Sequence, residues 1–158
     1  MANRKTLIIV PTTSLVEQMY SDFEDYGWNV DKYCHRIYHG YDKDVVKDVV
    51  ISTWQSLATL DKNYFKQFEC VIGDEAHNFK AKSLTGIMTA LTNAKYRIGT
   101  TGTLDGTKTH KLVLEGLFGT VYRATSTKTL IDKNQLSKLT IKCLVLKHNE
   151  ADRRKIRN

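Results

Sequence analysis

The sequence predicts an α/β fold built on a parallel sheet. Short apolar runs rich in β-branched residues alternate along the chain with longer amphipathic stretches. Polar residues follow the apolar runs at the points where the runs end. Strands that alternate with helices in this way are typical of a parallel sheet, whose ligands bind beyond the carboxyl ends of the strands. We therefore expect the polar groups of several strand ends to meet at one edge of the sheet.

The apolar runs predict the strands. The first four are short, rich in β-branched residues and bounded by polar or turn-forming residues, as buried strands are. They cover residues 6–10 (TLIIV), 48–54 (DVVISTW), 70–75 (CVIGDE) and 96–103 (YRIGTTGT). Residues 139–147 (LTIKCLVLK) alternate weakly between apolar and polar side chains, which predicts one further strand near the C-terminus.

The amphipathic stretches predict the helices. Residues 14–26 place apolar side chains at helical spacing, with Ser14 as the N-cap and Glu17 completing a capping box. Residues 83–94 and 109–119 predict two further helices, and the second of them ends in a glycine. Shorter helical pieces are expected within 56–68 and 120–138.

Size and charge restrict the class of protein. A chain of 158 residues with 41% hydrophobic and 26% charged residues can form one globular domain with a core. The net charge of +7 favours a polyanionic partner such as nucleic acid, and a soluble basic domain without such a partner is the alternative. Much of the positive charge lies in the tail, residues 147–158.

Targeting signals and metal-binding cysteine patterns are not visible in the sequence. No apolar run approaches the roughly 20 residues of a membrane helix. The run Leu7–Val10 is shorter than the about 7–15 residues of a signal-peptide core, so a cytoplasmic location without membrane partners is expected. The three cysteines are far apart and show no zinc spacing, which predicts reduced and mostly packed thiols.

Two adjacent acids, Asp74 and Glu75, follow the strand predicted over 70–75. A first carboxylate at a strand tip suits Mg²⁺ beside nucleotide phosphates, and a second suits the orientation and deprotonation of an attacking water. A pair of surface acids is the alternative, and for two acids alone it is the better one. The apolar strand before them and Ala76-His77 after them favour the nucleotide site.

The string Asp74-Glu75-Ala76-His77 resembles the Walker B box of superfamily 2 helicases. Three other segments resemble motifs of that family, in the family's order and each at a predicted strand end. Residues 9–19 resemble motif Ia, 49–57 resemble a later DNA-contacting motif, and 99–104 resemble motif III. Each string is weak alone, and four in order are much stronger.

The resemblance extends over about residues 6 to 146, and its details resemble the UvsW-type recombination helicases of T-even phages. More broadly, the chain resembles the XPB and type III restriction motor branch. The resemblance implies a three-layer RecA-like parallel sheet, here incomplete, with a C-terminal extension strand. Residues 1–120 would form part of the first helicase lobe, and 121–158 a linker, the start of a second lobe and a basic tail. UvsW-type proteins are ATP-driven motors that engage duplex DNA and remodel branched intermediates.

The resemblance also implies roles for individual residues. Asp74 would hold Mg²⁺, Glu75 would be the catalytic base, and His77 would couple the nucleotide site to motif III. The coupling residues of motif III would be Thr101, Gly102 and Thr103. The nucleic-acid-binding residues would be Pro11, Thr12, Thr13, Gln18, Thr53 and Gln55. Turn-forming hydroxyls are the alternative for the threonines, and it is a serious one for Thr13.

The phosphate-binding loop of the family is missing from the sequence. No G-x-x-x-x-G-K-[ST] occurs, and without that loop no backbone cradle holds the phosphates of ATP. ATP and Mg²⁺ are therefore cofactors of the intact family, and we expect this chain alone neither to hydrolyse ATP nor to unwind DNA. Three interpretations stay open: a helicase fragment, a non-enzymatic nucleic-acid-binding domain, and one chain of a split motor.

The missing loop has a structural consequence at the strand within 96–103. In the family's strand order, this strand lies beside the strand that precedes the phosphate loop, so its edge should be open here. An open apolar edge invites pairing with another chain. We therefore expect self-association or a partner chain that supplies the phosphate loop.

Overall fold

The computed structural model describes residues 4–38, 47–79, 82–104, 108–137, 140 and 142–144. The chain divides into two compact units, residues 1–121 and 122–158. The first unit contains a five-stranded sheet. In the described part of the second unit, the helix α6 covers Thr127–Asp132.

All neighbouring strands of the sheet are parallel, in the order β2-β3-β1-β4-β5. The strands are β1 (Thr6–Val10), β2 (Cys34–Ile37), β3 (Val49–Thr53), β4 (Cys70–Gly73) and β5 (Tyr96–Gly99). The predicted parallel α/β fold is confirmed, and so are the four strands predicted from the apolar runs of the first unit.

In the described part of the first unit, four helices and two 3-10 helices connect these strands, and a fifth helix, α5, follows β5. The helices are α1 (Thr13–Asp25), α2 (Val30–Tyr33), α3 (Trp54–Leu57), α4 (Lys82–Ala90) and α5 (Lys108–Phe118). The 3-10 helices are Lys62–Gln67 and Ala76–Asn78. Among the residues described above, no helix is both long and apolar enough to cross a membrane.

Helices cover both faces of the sheet, as the alternation of side chains along β1 shows. Leu7 and Ile9 belong to one buried cluster, which α3, α4 and α5 complete. Ile8 and Val10 belong to a second buried cluster, which includes Val16 of α1. Because β1 is buried on both faces, its sequence is a continuous apolar run and not an alternating one. This is the three-layer arrangement that the resemblance to superfamily 2 helicases implies.

The predicted N-cap of α1 is wrong. Thr12, not Ser14, has the extended backbone of a cap, and its Oγ1 accepts a hydrogen bond from the Leu15 amide at 3.3 Å. A cap must precede the residue whose amide it accepts by about three positions, and only Thr12 does so here. Glu17 therefore lies too far into the helix for a capping box. Its carboxylate instead accepts a bond from Arg36 Nη1 at 2.6 Å.

The sequence did not predict β2, because its middle is polar. Cys34 and Ile37 are buried, whereas His35 and Arg36 are only partly buried at the edge of the sheet. An edge strand needs no continuous apolar run. The strand predicted over 139–147 is not seen at the described residues 140 and 142–144, and its other residues and the basic tail lie outside the described ranges.

The three cysteines are free thiols in different surroundings. Cys34 is buried in β2, and burial raises the pKa of its thiol to about 11. Cys70 is partly buried and Cys143 is exposed. The prediction of packed cysteines is therefore right for Cys34 and wrong for Cys143.

Arg97 of β5 ties the end of α4 to the sheet. Its guanidinium donates to the carbonyls of Met88, Leu91 and Ala94 at 3.1, 2.7 and 3.1 Å. These carbonyls lie at or just beyond the end of α4, where backbone acceptors lack helical partners. One side chain thus satisfies three acceptors.

We expect Arg97→Met to lower the free energy of unfolding by about 2 kcal/mol, because it keeps the apolar stem and removes three charge-assisted hydrogen bonds. Urea denaturation followed by circular dichroism measures this. Lys95→Met is the matched control, since Lys95 is exposed and should change stability by less than about 0.5 kcal/mol. Equal stability of the two variants would contradict the capping role.

Candidate functional site

The turn after β4 carries Asp74 and Glu75, and we call it the acid turn. Backbone hydrogen bonds tie it to two neighbouring strands. The Asp74 amide donates to the Ile9 carbonyl of β1 at 2.9 Å. On the other side, the Ala76 amide donates to the Thr100 carbonyl at 2.8 Å, and the Thr100 amide donates to the Gly73 carbonyl at 2.9 Å. The turn is therefore fixed between the carboxyl ends of β1 and β5.

Glu75 adopts a left-handed backbone conformation, with φ 49° and ψ 50°. This conformation costs a residue with a side chain about 1–3 kcal/mol and persists only where the surroundings impose it. Here the bonds of the adjacent Asp74 and Ala76 amides impose it. Strained backbone of this kind concentrates at functional sites, and it places the two carboxylates on a fixed turn.

The side chains of the turn form hydrogen bonds with the segment that follows β5. Asp74 Oδ1 accepts from the Thr100 hydroxyl at 2.9 Å. His77 Nδ1 lies 3.1 Å from Glu75 Oε2 and 3.0 Å from Thr101 Oγ1. The predicted catalytic residues and the first residue of the predicted coupling motif therefore lie in one bonded group.

The contacts of His77 Nδ1 fit the tautomer in which this nitrogen carries a proton. The single hydroxyl proton of Thr101 is donated to the Thr103 carbonyl at 2.9 Å. A protonated Nδ1 of His77 can donate to the Thr101 oxygen and to the Glu75 carboxylate, which only accepts. That N–H is shared between the Glu75 carboxylate and Thr101, which makes His77 the link between the acid turn and residues 101–103. Gly102 is exposed between the two threonines.

Asp74 fits the role of a Mg²⁺ ligand. Its Oδ1 accepts from Thr100, which leaves Oδ2 for a cation, and the residue lines a small cleft with Pro11, Trp54 and Asn78. Among the described residues, no three His, Cys, Asp or Glu side chains could together enclose a metal. Mg²⁺ usually keeps several waters and takes one or two carboxylates plus substrate phosphates, so a single carboxylate suits it.

The predicted nucleic-acid-binding residues lie just before or within two helices that follow neighbouring strand ends, and all except Gln18 lie at the helix starts. Thr12 caps α1 and Thr53 caps α3, and the strand residues Val10 and Thr53 are register partners. Thr12, Thr13 and Gln18 are exposed, and Pro11 is partly buried. The acid turn follows β4, and β1 lies between β3 and β4. The turn and both helix starts therefore lie at the same carboxyl end of the sheet.

Thr53 differs from the other residues of this group. It is only 3% exposed, and its hydroxyl accepts from the Ser56 amide at 3.4 Å as the cap of α3. Its side chain therefore serves the helix start. Gln55 is exposed two residues later, so it is the side chain of this segment that reaches solvent.

Sequence reasoning missed Thr100 and a pair of glycines beneath the site. Gly73 and Gly99 are register partners in β4 and β5. A Cβ atom on Gly73 would lie 2.6 Å from Phe79 Cζ, and one on Gly99 would lie 3.1 Å from Phe118 Cγ. The rings of Phe79 and Phe118 pack edge to face at 5.0 Å. The two glycines thus make room for the aromatic pair that supports the acid turn.

Comparison with known families decides the classification. The family described as "Type III restriction enzyme, res subunit" matches residues 1–106 of this chain. The chain belongs to this family. The match includes every residue of the candidate site, from Pro11 to Thr103. The resemblance to UvsW-type helicases is confirmed by a curated relative and by solved structures.

The ATP-dependent DNA helicase uvsW of Enterobacteria phage T4 is 33% identical over 148 residues, which cover 91% of this chain and 30% of that relative. The chain therefore spans less than a third of the curated relative's length. A crystal structure of the UvsW helicase from Bacteriophage T4 matches with TM-score 0.65 and 36% identity, over 73% of this chain and 43% of that one.

A second solved structure has low sequence identity to this chain and therefore supports only the fold. A hypothetical ATP-dependent RNA helicase from Sulfolobus tokodaii matches with TM-score 0.61 and 23% identity, over 73% of this chain and 38% of that one. The sheet order and these matches establish the RecA-like fold of the chain.

Proposed function

We propose that this chain is part of an ATP-dependent DNA helicase or translocase that acts on branched DNA in recombination and repair, in the cytoplasm of a bacterial host if the chain is phage-encoded. The observation that carries the proposal is the bonded group of Asp74, Glu75, His77 and Thr101. It lies at the same carboxyl end of the sheet as two capped helix starts. The groups for nucleotide chemistry and for DNA contact would thus be held by one rigid sheet.

The acid turn supplies the chemistry of phosphoryl transfer to water. Asp74 would hold Mg²⁺, which neutralises phosphate charge when it is bound. Glu75 would orient the attacking water and accept its proton. His77 would bond both the Glu75 carboxylate and Thr101, so that a shift of Glu75 would also move residues 101–103. The T4 relative is described as an ATP-dependent DNA helicase, which supports this assignment.

The exposed start of α1 would contact the DNA backbone. Its first amides lack helical partners, and the positive end of the helix dipole favours phosphate there. Contacts to phosphates position a protein without reading base sequence, as a motor that steps along DNA requires. The net charge of +7 supports a polyanionic partner for the whole chain.

We expect Thr13→Glu to weaken binding to a four-way DNA junction about tenfold, because it places a negative charge beside the phosphate contact. A carboxylate in the first turn of a helix favours the helix itself, so folding should be unharmed. Fluorescence anisotropy at about 50 and about 200 mM salt measures affinity and its salt dependence.

Ser21→Glu is the matched control, because Ser21 is exposed near the other end of α1. It carries the same charge change and should alter affinity by less than about threefold. Equal weakening by both variants would indicate a general charge effect and count against a contact at the start of α1. Equal affinity of wild type for linear and branched duplex would remove the branched-DNA part of the proposal.

The open edge of β5 favours one alternative, a motor split between two chains. Among the described residues, β5 pairs only with β4, and Tyr96 and Ile98 are 46% and 50% exposed. Ile98 is the register partner of Ile72, which packs on the α1 face of the sheet. The exposed apolar side chains of β5 therefore continue the face that α1 covers elsewhere.

A strand–helix segment from a partner chain would fit this edge and face. A strand paired to β5, followed by a helix leading back to β1, would place that helix on the α1 face, because such crossovers are right-handed in about 98% of cases. The Arg4 guanidinium already lies 4.3 Å from the ring centre of Tyr96 on β5. Self-association through the same edge is the competing outcome, and light scattering at high concentration distinguishes it.

A further inference from the structure

Thr100 is bonded to the acid turn through its backbone and its side chain. It follows Gly99, the register partner of Gly73, so Thr100 and Asp74 leave adjacent strand ends side by side. The Thr100 amide donates to the Gly73 carbonyl at 2.9 Å, and its carbonyl accepts from the Ala76 amide at 2.8 Å. These two bonds fix the Thr100 backbone against the turn without help from its side chain.

The Thr100 hydroxyl makes a third bond, of 2.9 Å, to Asp74 Oδ1. An ionised carboxylate only accepts hydrogen bonds, so the hydroxyl proton is directed at Asp74. The bond occupies one oxygen and fixes the rotation of the carboxylate, which leaves Oδ2 for other partners.

We propose that Thr100 is a positioning residue that holds Asp74 in the orientation in which it binds a divalent cation. The proposal rests on the proposed metal-binding role of Asp74. Hydrogen-bond donors behind a ligating carboxylate orient it, and their loss typically lowers metal affinity or activity about 10–100-fold. If Thr100 only closed the turn, its backbone bonds would suffice and its hydroxyl would be dispensable.

The test uses Mn²⁺ as a paramagnetic probe and the full chain labelled with ¹⁵N. Mn²⁺ broadens amide signals near its binding site, so the broadening at Asp74 and Ala76 gives an apparent affinity without ATP turnover. Thr100→Val keeps the branched shape and removes the hydroxyl, whereas Thr100→Ser keeps the hydroxyl. We expect about tenfold weaker binding for the valine variant and wild-type binding for the serine variant.

Two further variants separate the possible outcomes. Thr6→Val is the matched control, because its hydroxyl bonds the Arg4 carbonyl at the other end of the sheet. Asp74→Asn tests the metal site itself, and broadening that survives this change would overturn both the site and the role of Thr100. Broadening that Asp74→Asn removes but Thr100→Val leaves intact would overturn the role of Thr100 alone. Amide shifts of every variant report whether the fold is retained.

Discussion

Gly73→Ala is expected to lower the free energy of unfolding by about 3 kcal/mol, near the upper end of the usual range for overpacking. The new Cβ would lie 2.6 Å from Phe79 Cζ and 3.0 Å from Phe118 Cζ. The first contact is too short and the second is tight, and the atoms belong to rigid rings that pack against each other. Relief of one contact pushes that ring toward the other, so the strand end and the acid turn must move.

Urea denaturation provides the measurement, and Gly86→Ala provides the control. Gly86 is exposed in α4, and no atom lies within 4 Å of the place that an alanine methyl group would take there. Alanine at this position should stabilise the helix by up to about 1 kcal/mol. The same chemical change thus has opposite expected effects at two glycines. A Gly73→Ala variant within about 0.5 kcal/mol of wild type would show that the rings yield easily.

A double variant tests whether the ring contact is the cause. Phe79→Leu removes the Cζ atom that the new methyl group would meet. We therefore expect Phe79→Leu combined with Gly73→Ala to be less destabilising than the sum of the two single changes, since the two residues are in contact. Additive effects would place the cause of instability elsewhere, for example at Phe118.

The parts of the fold that the sequence predicts are those set by local patterns. β1, β3 and β4 are central strands, and burial on both faces gives them continuous apolar runs. β2 is an edge strand, and its Arg36 interrupts that pattern because it bonds Glu17 of α1. The N-cap of α1 is an ambiguity of the sequence, since Thr12, Thr13 and Ser14 are all residues that cap helices.

The residues of the candidate site likewise divide into those that a local pattern reveals and those that strand pairing brings to the site. Asp74, Glu75 and His77 are recognisable because they are contiguous and follow a strand. Thr100 lies 26 positions from Asp74 in sequence, and it reaches that carboxylate only because β4 and β5 pair with Gly73 opposite Gly99. Strand register is a long-range property that single-sequence patterns do not specify. The bonds of Arg97 to α4 depend on tertiary contact for the same reason.

The chain alone is expected to hydrolyse no ATP, and to gain hydrolysis when a separate segment supplies a strand, a phosphate loop and the following helix. A malachite-green assay with saturating duplex DNA measures both. Glu75→Gln is the background in each case, because loss of a general base typically costs about 10²–10⁴-fold in rate. Turnover of the chain alone above this background would contradict the expected inactivity.

A substitution on the open edge strand β5 tests in the same assay whether the added segment pairs with that strand. Ile98→Lys places a charge on an edge strand, which opposes pairing with another strand, so it should abolish the gain in turnover. Leu112→Lys is the control, because Leu112 is 68% exposed on α5 and lies outside the proposed pairing edge. If the added segment restored no turnover while junction binding stayed salt-dependent, the non-enzymatic binding domain would be the better interpretation. Restoration that Ile98→Lys blocks and Leu112→Lys does not would instead place the phosphate loop of the added segment beside β5, within reach of Asp74 and Glu75.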